Sequence, residues 1–174
     1  ENRKSGYKFG LKEDAVNAEK LADGSYYGIK IDLLYEYDGY QHRISNVYID
    51  NKNQDSHQDS SGEGKVDGAL IRYCQTNFAI SNLVLENFDV TAERNAAALV
   101  AEMQNPKSGN VTGLRISNVL VVGGSITSNF TRGNAGGLIG YTGTRTVVSD
   151  CAANAKITAK GARLDADYAG DAGG

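Results

Sequence analysis

The chain has 174 residues, room for one domain or at most two small ones. Its 18 basic and 21 acidic side chains give a formal net charge of −3, which removes the electrostatic case for a nucleic-acid partner. It has no run of about 18 apolar residues, so no membrane span is expected, and two cysteines do not make a disulfide scaffold.

Residues 11–22 carry the one good helical pattern. Leu11, Ala15, Ala18 and Ala22 share a face, Glu13 and Asp14 lie early, Lys20 lies late, and Gly24 follows as a stop. An amphipathic helix here would cover exposed strand edges further along. Tyr26, Tyr27, Tyr35, Tyr37, Tyr40 and Tyr48 crowd the next stretch. They read as packing around a strand at Gly28–Leu34 rather than as a sugar-stacking platform.

Repetition begins at Ile44-Ser45-Asn46-Val47-Tyr48-Ile49. It returns as Ile80-Ser81-Asn82-Leu83-Val84-Leu85 and as Ile116-Ser117-Asn118-Val119-Leu120-Val121, each 36 positions on. A weaker copy, Val148-Ser149-Asp150-Cys151, follows after 32. Each copy alternates as a strand with one buried face. Ile116, Val119 and Val121 do not share one parity, so a bend at Ser117-Asn118 is expected. A short strand at Ser125-Ile126-Thr127 comes next. A small-small-apolar-apolar element also recurs, as Gly68-Ala69-Leu70-Ile71, Ala97-Ala98-Leu99-Val100 and Gly136-Gly137-Leu138-Ile139. The chain stops at Ala172-Gly173-Gly174, where the next such element is due, so a segment of a longer protein is expected.

One unit buries almost nothing, whereas stacked units bury a continuous interior, which is the property of a solenoid. Asn46, Asn82, Asn118 and Asp150 would then form one column. Their left-handed tolerance would serve a turn, and their amides would link successive turns. Gly136 and Gly137, before Leu138 and Gly140, would allow close backbone approach. Cys74 and Cys151, read as free thiols, fall too far apart on this scheme for a disulfide.

Catalytic signals are weak. The loop 50–65 places Asn51, Asn53, Asp55, His57 and Asp59 in partial calcium-loop spacing, without the central glycine or closing glutamate. It reads as a solvated loop, and no metal is expected. His42 and His57 have no neighbours at zinc-ligand spacing. Asp89, Glu93 and Glu102, with Arg72, Arg94 and Arg115 projecting outward, are the residues a carbohydrate-cleaving site would draw on. They do not recur or converge in sequence.

Tyr26–Leu33 and Asp38–Ile49 resemble the opening strand and first turn of GLUG-motif bacterial surface β-solenoids, with Tyr40-Gln41 standing where that family usually has Asn-Gly. Asn134-Ala135-Gly136-Gly137-Leu138-Ile139-Gly140-Tyr141 is similar to the motif that names the family, and Val148–Ala152 to the strand after it. The resemblance spans about residues 11–174 and extends to the N-terminal repeat region of immunoglobulin A-cleaving metallopeptidases. It implies an all-β chain: a right-handed parallel β-helix of about four rungs with an N-terminal capping α-helix. Residues 1–43 would form the cap and first strand, and 44–174 the repeats. The expected function is a non-catalytic, cofactor-free extracellular module of a bacterial cell-surface or secreted protein, an adhesin-like binding surface or a rigid stalk. Its partners would be a host glycan, a host protein or neighbouring domains of the same chain. Alternatives are an accessory domain of a surface metallopeptidase and a polysaccharide lyase or glycoside hydrolase built on the same scaffold.

Overall fold

The computed structural model describes residues 18–20, 26–31, 36–51, 67–74, 78–103, 113–129, 133–143, 145–160 and 172–173. Every regular element among them is a strand: β1 (Ala18–Lys20), β2 (Tyr26–Ile31), β3 (Glu36–Ser45), β4 (Tyr48–Asn51), β5 (Ile71–Cys74), β6 (Phe78–Ala92), β7 (Ala96–Ala97), β8 (Val100–Met103), β9 (Leu114–Ser128), β10 (Ala135–Gly136), β11 (Ile139–Thr142), β12 (Thr146–Ser149), β13 (Ala152–Ala159) and β14 (Ala172–Gly173). The chain is therefore all-β over its described part, and no helix long and apolar enough to cross a membrane occurs there. Of the helix expected at 11–22, residues Ala18–Lys20 form β1, and the rest lie outside the described residues.

The strands build three sheets. In the first, β2, β5, β8 and β11 run parallel, and β1 adds on antiparallel to β2. The second, short sheet joins β7, β10 and β14 in parallel, with Gly68 bridging to Ala96. In the third, β3 and β4 pair with β6, β6 with β9, and β9 with both β12 and β13, all parallel.

The two longest strands, β6 and β9, turn corners without losing their register against each other. Along β6 the buried positions are Phe78, Ile80, Leu83, Leu85, Phe88, Val90 and Ala92. Steps of two carry the buried face along a straight run, and each step of three marks a corner where the alternation is reset. Asn82 and Asn87 occupy those corners at φ 56° and 53°. In β9 the same places hold Asn118 (φ 51°) and the pair Gly123-Gly124 (φ 69° and 88°). Asparagine and glycine are the residues that reach this left-handed region at least cost. Gly124 has a second reason: a Cβ there would collide with the Phe88 backbone beneath it.

Register departs from the sequence expectation at one place. Ile80 lies between Tyr37 and Ile116, and Ile116 beside Val148, forming one file. Ile44 is not in it. It pairs with Leu85, which pairs with Val121. The step from β4 to β6 is accordingly 41 residues (Tyr48 to Asp89), not 36. The whole β6–β9 pairing holds 36 (Phe78 to Leu114), and β9–β12 holds 32 (Thr146 to Leu114).

One buried cluster receives residues from all three sheets. It includes Ile80, Leu85, Phe88, Ile116 and Val121, with Cys74, Val100 and Met103 from the first sheet and Ala96 and Ala135 from the second. Ala69, Ala97 and Ala101 form a separate small contact. The recurring small-apolar element sits in matching places: Gly136 pairs with Ala97, and Ile139 with Val100. Ala172 and Gly173 pair with Ala135 and Gly136.

Candidate functional site

Two columns of corner residues run across the third sheet. In one, the Asn118 amide donates to Asn82 Oδ1 (2.7 Å), and the Asn82 amide donates to Asp38 Oδ1 (3.0 Å). Asp150, at φ 54°, holds the next corner after Asn118. Asn46 was expected here and belongs to the second column: the Asn87 amide reaches Asn46 Oδ1 at 3.4 Å. The reason is the register of β3, which sets Ser45 beside Glu86. Asp38 accepts a further bond from the Tyr40 backbone N–H (2.8 Å), and these two donors hold its carboxyl below the usual range. Beside the second column Arg43 pairs with Glu86 (2.6 Å) and Ser45 also donates to it, lowering the Glu86 carboxyl in turn.

The glycine element has a plain steric basis. A Cβ on Gly136 would strike the Ile139 backbone oxygen, and one on Gly137 would press on Ala153. Leu138 is half-buried against the core. At Gly140 a Cβ would stand 2.7 Å from the Ala101 oxygen. An open recess of about 550 Å³ lies along this segment, lined mainly by Gly136, Leu138, Ile139, Tyr141 and Val148.

A charged cluster joins the first and second sheets. Arg94 grips Asp67 with both arms of its guanidinium, Nε to Oδ1 at 2.9 Å and an Nη to Oδ2 at 2.8 Å, and the same Nη bonds Glu102. Asp67 and Glu102 are only 1% and 2% exposed. The Asn95 N–H also donates to Asp67 (2.9 Å), and the Asn134 amide to Asn95 Oδ1 (3.0 Å). The Asn51 amide reaches the Asp67 carbonyl (3.0 Å). Burial, together with the charge of Arg94, pulls the Arg72 guanidinium down to about 10, and burial with the Glu102 charge pushes the Tyr73 hydroxyl up to about 12. Two carboxylates and two guanidiniums thus balance locally, which is what buried charge requires.

This cluster was not legible as a unit in the sequence. Arg72 and Arg94 were expected to project outward with Arg115. Arg115 is exposed, but the other two are half-buried and drawn into the cluster. Asp89 accepts from the Ser125 N–H (3.0 Å) and from its hydroxyl (3.2 Å), so it ties β6 to β9. Cys74 and Cys151 are not joined in a disulfide, Cys74 buried and Cys151 half-buried. The polar loop 52–66, including Asn53, Asp55, His57 and Asp59, lies outside the described residues, as do 104–112 and 130–132. No group of three or more metal-ligating side chains occurs among the described residues.

No family model matches this chain, and no curated protein and no solved structure matches it significantly.

Proposed function

We propose that the chain is a right-handed parallel β-helix of about four rungs. In this reading it is a non-catalytic extracellular module of a bacterial surface or secreted protein that acts as a binding surface or a stiff stalk. The observation that carries the reading is the pairing of the third sheet. The corners Asn82 and Asn118 stand amide to amide, and the strands on both sides keep one offset along the whole of β6 and β9. Repeating units that bury their apolar face only against each other form extended, rigid bodies. The GLUG-like segment Asn134–Tyr141 supports the surface assignment.

Of Asp89, Glu93 and Glu102, the carboxylates a carbohydrate-cleaving enzyme would draw on, Glu102 is closed from solvent and bound to Arg94, and Asp89 is taken up by Ser125, arrangements suited to holding turns together rather than to moving protons. The accessory-domain reading shares the scaffold and differs only in what adjoins it. The test uses the purified chain. Small-angle scattering gives its shape, a panel of immobilised glycans and proteins gives retention, and acidic polysaccharides and peptides give turnover. Retention, or an extended particle with neither retention nor turnover, fits a module or stalk. Turnover of either substrate class, or a globular scattering profile, overturns the proposal.

A further inference from the structure

We propose that the corner Gly39–His42 is a carbohydrate-binding tip, with Tyr40 as the ring on which a neutral sugar stacks. This inference rests on reading the chain as a binding module and names its ligand class.

The corner is the odd member of its column. Asn82, Asn118 and Asp150 each turn it with one residue. In β3, Asp38 stands beside Ser81 and His42 beside Leu83, so Gly39, Tyr40 and Gln41 fill the place of Asn82 alone. Tyr40 and Gln41 are both left-handed, at φ 47° and 60°. Bulky residues without a short amide side chain are rare in that region. Asp38 holds the loop, bonded at once to the Tyr40 N–H and to Asn82. Gly39 is buried, and a Cβ there would stand 2.5 Å from the Asn82 oxygen, so the insertion has no inward room. Tyr40 is 76% exposed. The expected packing role for the tyrosines does not hold at this position.

The surroundings select the ligand. Gln41 and His42 are exposed and supply planar polar groups. The cation next along, Arg43, is engaged by Glu86, and the Asp38 carboxylate is taken up by the Tyr40 N–H and the Asn82 amide. With the nearest guanidinium among the described residues already paired, an anionic sugar has less to bind. A protein hot spot wants an apolar ring sealed from water, and here the neighbours are polar. An aromatic face with the Gln41 amide and the His42 ring beside it suits the C–H face and hydroxyls of a neutral pyranose.

The experiment screens the chain on an array of glucose-, galactose-, mannose- and N-acetylglucosamine-terminated oligosaccharides, beside sialylated and sulfated ones, then titrates the best neutral glycan. Tyr40→Asn installs the residue used at the other corners. It is expected to leave the melting temperature unchanged or raised and to weaken binding about tenfold, the worth of one stacked ring. Tyr40→Trp is expected to retain binding. Retention of no neutral glycan, or of anionic ones only, overturns the inference. A neutral glycan held equally by Tyr40→Asn also overturns it, while leaving the module reading intact. Glycan turnover sinks the module reading instead.

Discussion

Asn118 is where the corner chemistry can be weighed most directly. It combines two roles, a left-handed backbone at φ 51° and an amide bonded to Asn82 at 2.7 Å. Replacing it with alanine removes both. A Cβ-bearing residue in the left-handed region costs about 1–2 kcal/mol, of which asparagine itself bears part. The lost hydrogen bond, at an exposed corner, adds about 0.5–1 kcal/mol. Asn118→Ala should therefore lose about 2 kcal/mol. Asn118→Gly loses the bond but not the conformation, and with the looser unfolded chain should lose about 1 kcal/mol. Equilibrium urea unfolding followed by far-ultraviolet circular dichroism measures both. For a chain of this size the alanine variant should melt about 4–8 °C below wild type. Asn82→Ala should cost more than Asn118→Ala, because Asn82 both donates and accepts in the column. If alanine and glycine at position 118 prove equally stable, the left-handed corner is not what asparagine supplies, and the column argument fails.

Three other outcomes follow from the same geometry. Arg94→Met leaves Asp67 and Glu102 buried side by side without their shared cation and should cost about 3–5 kcal/mol in urea unfolding. Adding Glu102→Gln should recover a measurable part, and a double variant no more stable than the single one would contradict the shared-arginine account. Asp150→Asn gives the column a donor beyond Asn118 and should raise stability by about 0.5–1 kcal/mol, read as a higher urea midpoint; a lower midpoint would mean that the Asp150 carboxylate has a better partner than Asn118. Asp38 and Glu86 both have lowered folded-state values, so their contribution is present above the unfolded carboxylate range and is lost as pH falls through the folded values. The melting temperature should therefore drop between about pH 5 and about pH 3, less so in Asp38→Asn, with thermal melts at each pH as the measurement.

How much of this was legible follows from which residues carry one meaning and which carry two. The small-apolar element has one. Gly136-Gly137-Leu138-Ile139 and Ala97-Ala98-Leu99-Val100 pair as the sequence aligns them, because only small residues fit where Gly136 meets the Ile139 backbone. The bend at Asn118 was legible from the broken parity of Ile116, Val119 and Val121. Asn46 carries two meanings. A single unit contains two corners, Asn82 and Asn87, each written as apolar, polar, asparagine, apolar. The segment around Ile44 matches either one, and a coincidental spacing of 36 favours the wrong one by five residues. The charged cluster was hidden for a different reason. Asp67, Arg94 and Glu102 come from three separate connections and strands, and each alone reads as an ordinary surface charge.

The unequal steps have a common physical origin. Between neighbouring units of the third sheet the offset falls from 43 and 41 to 36 and then to 32 and 31, while paired segments keep nearly the same length on both sides. Parallel pairing fixes the strands, because each backbone N–H and carbonyl must find its neighbour at one spacing. Connections carry no such constraint and absorb the differences. In some places extra residues stand inside a strand instead: Arg72 in β5, the Gly123-Gly124 pair opposite Ala155, and, with two extra residues, the corner at Tyr40. There the ladder is interrupted between Asp38 and His42, and Asp38 takes up the bond from Asn82 that a corner amide would otherwise receive. A change of length inside the paired region disturbs the ladder, whereas a change in a connection does not. That difference marks Gly39–His42 as an insertion set inside the paired region, with the Tyr40 ring turned out to solvent.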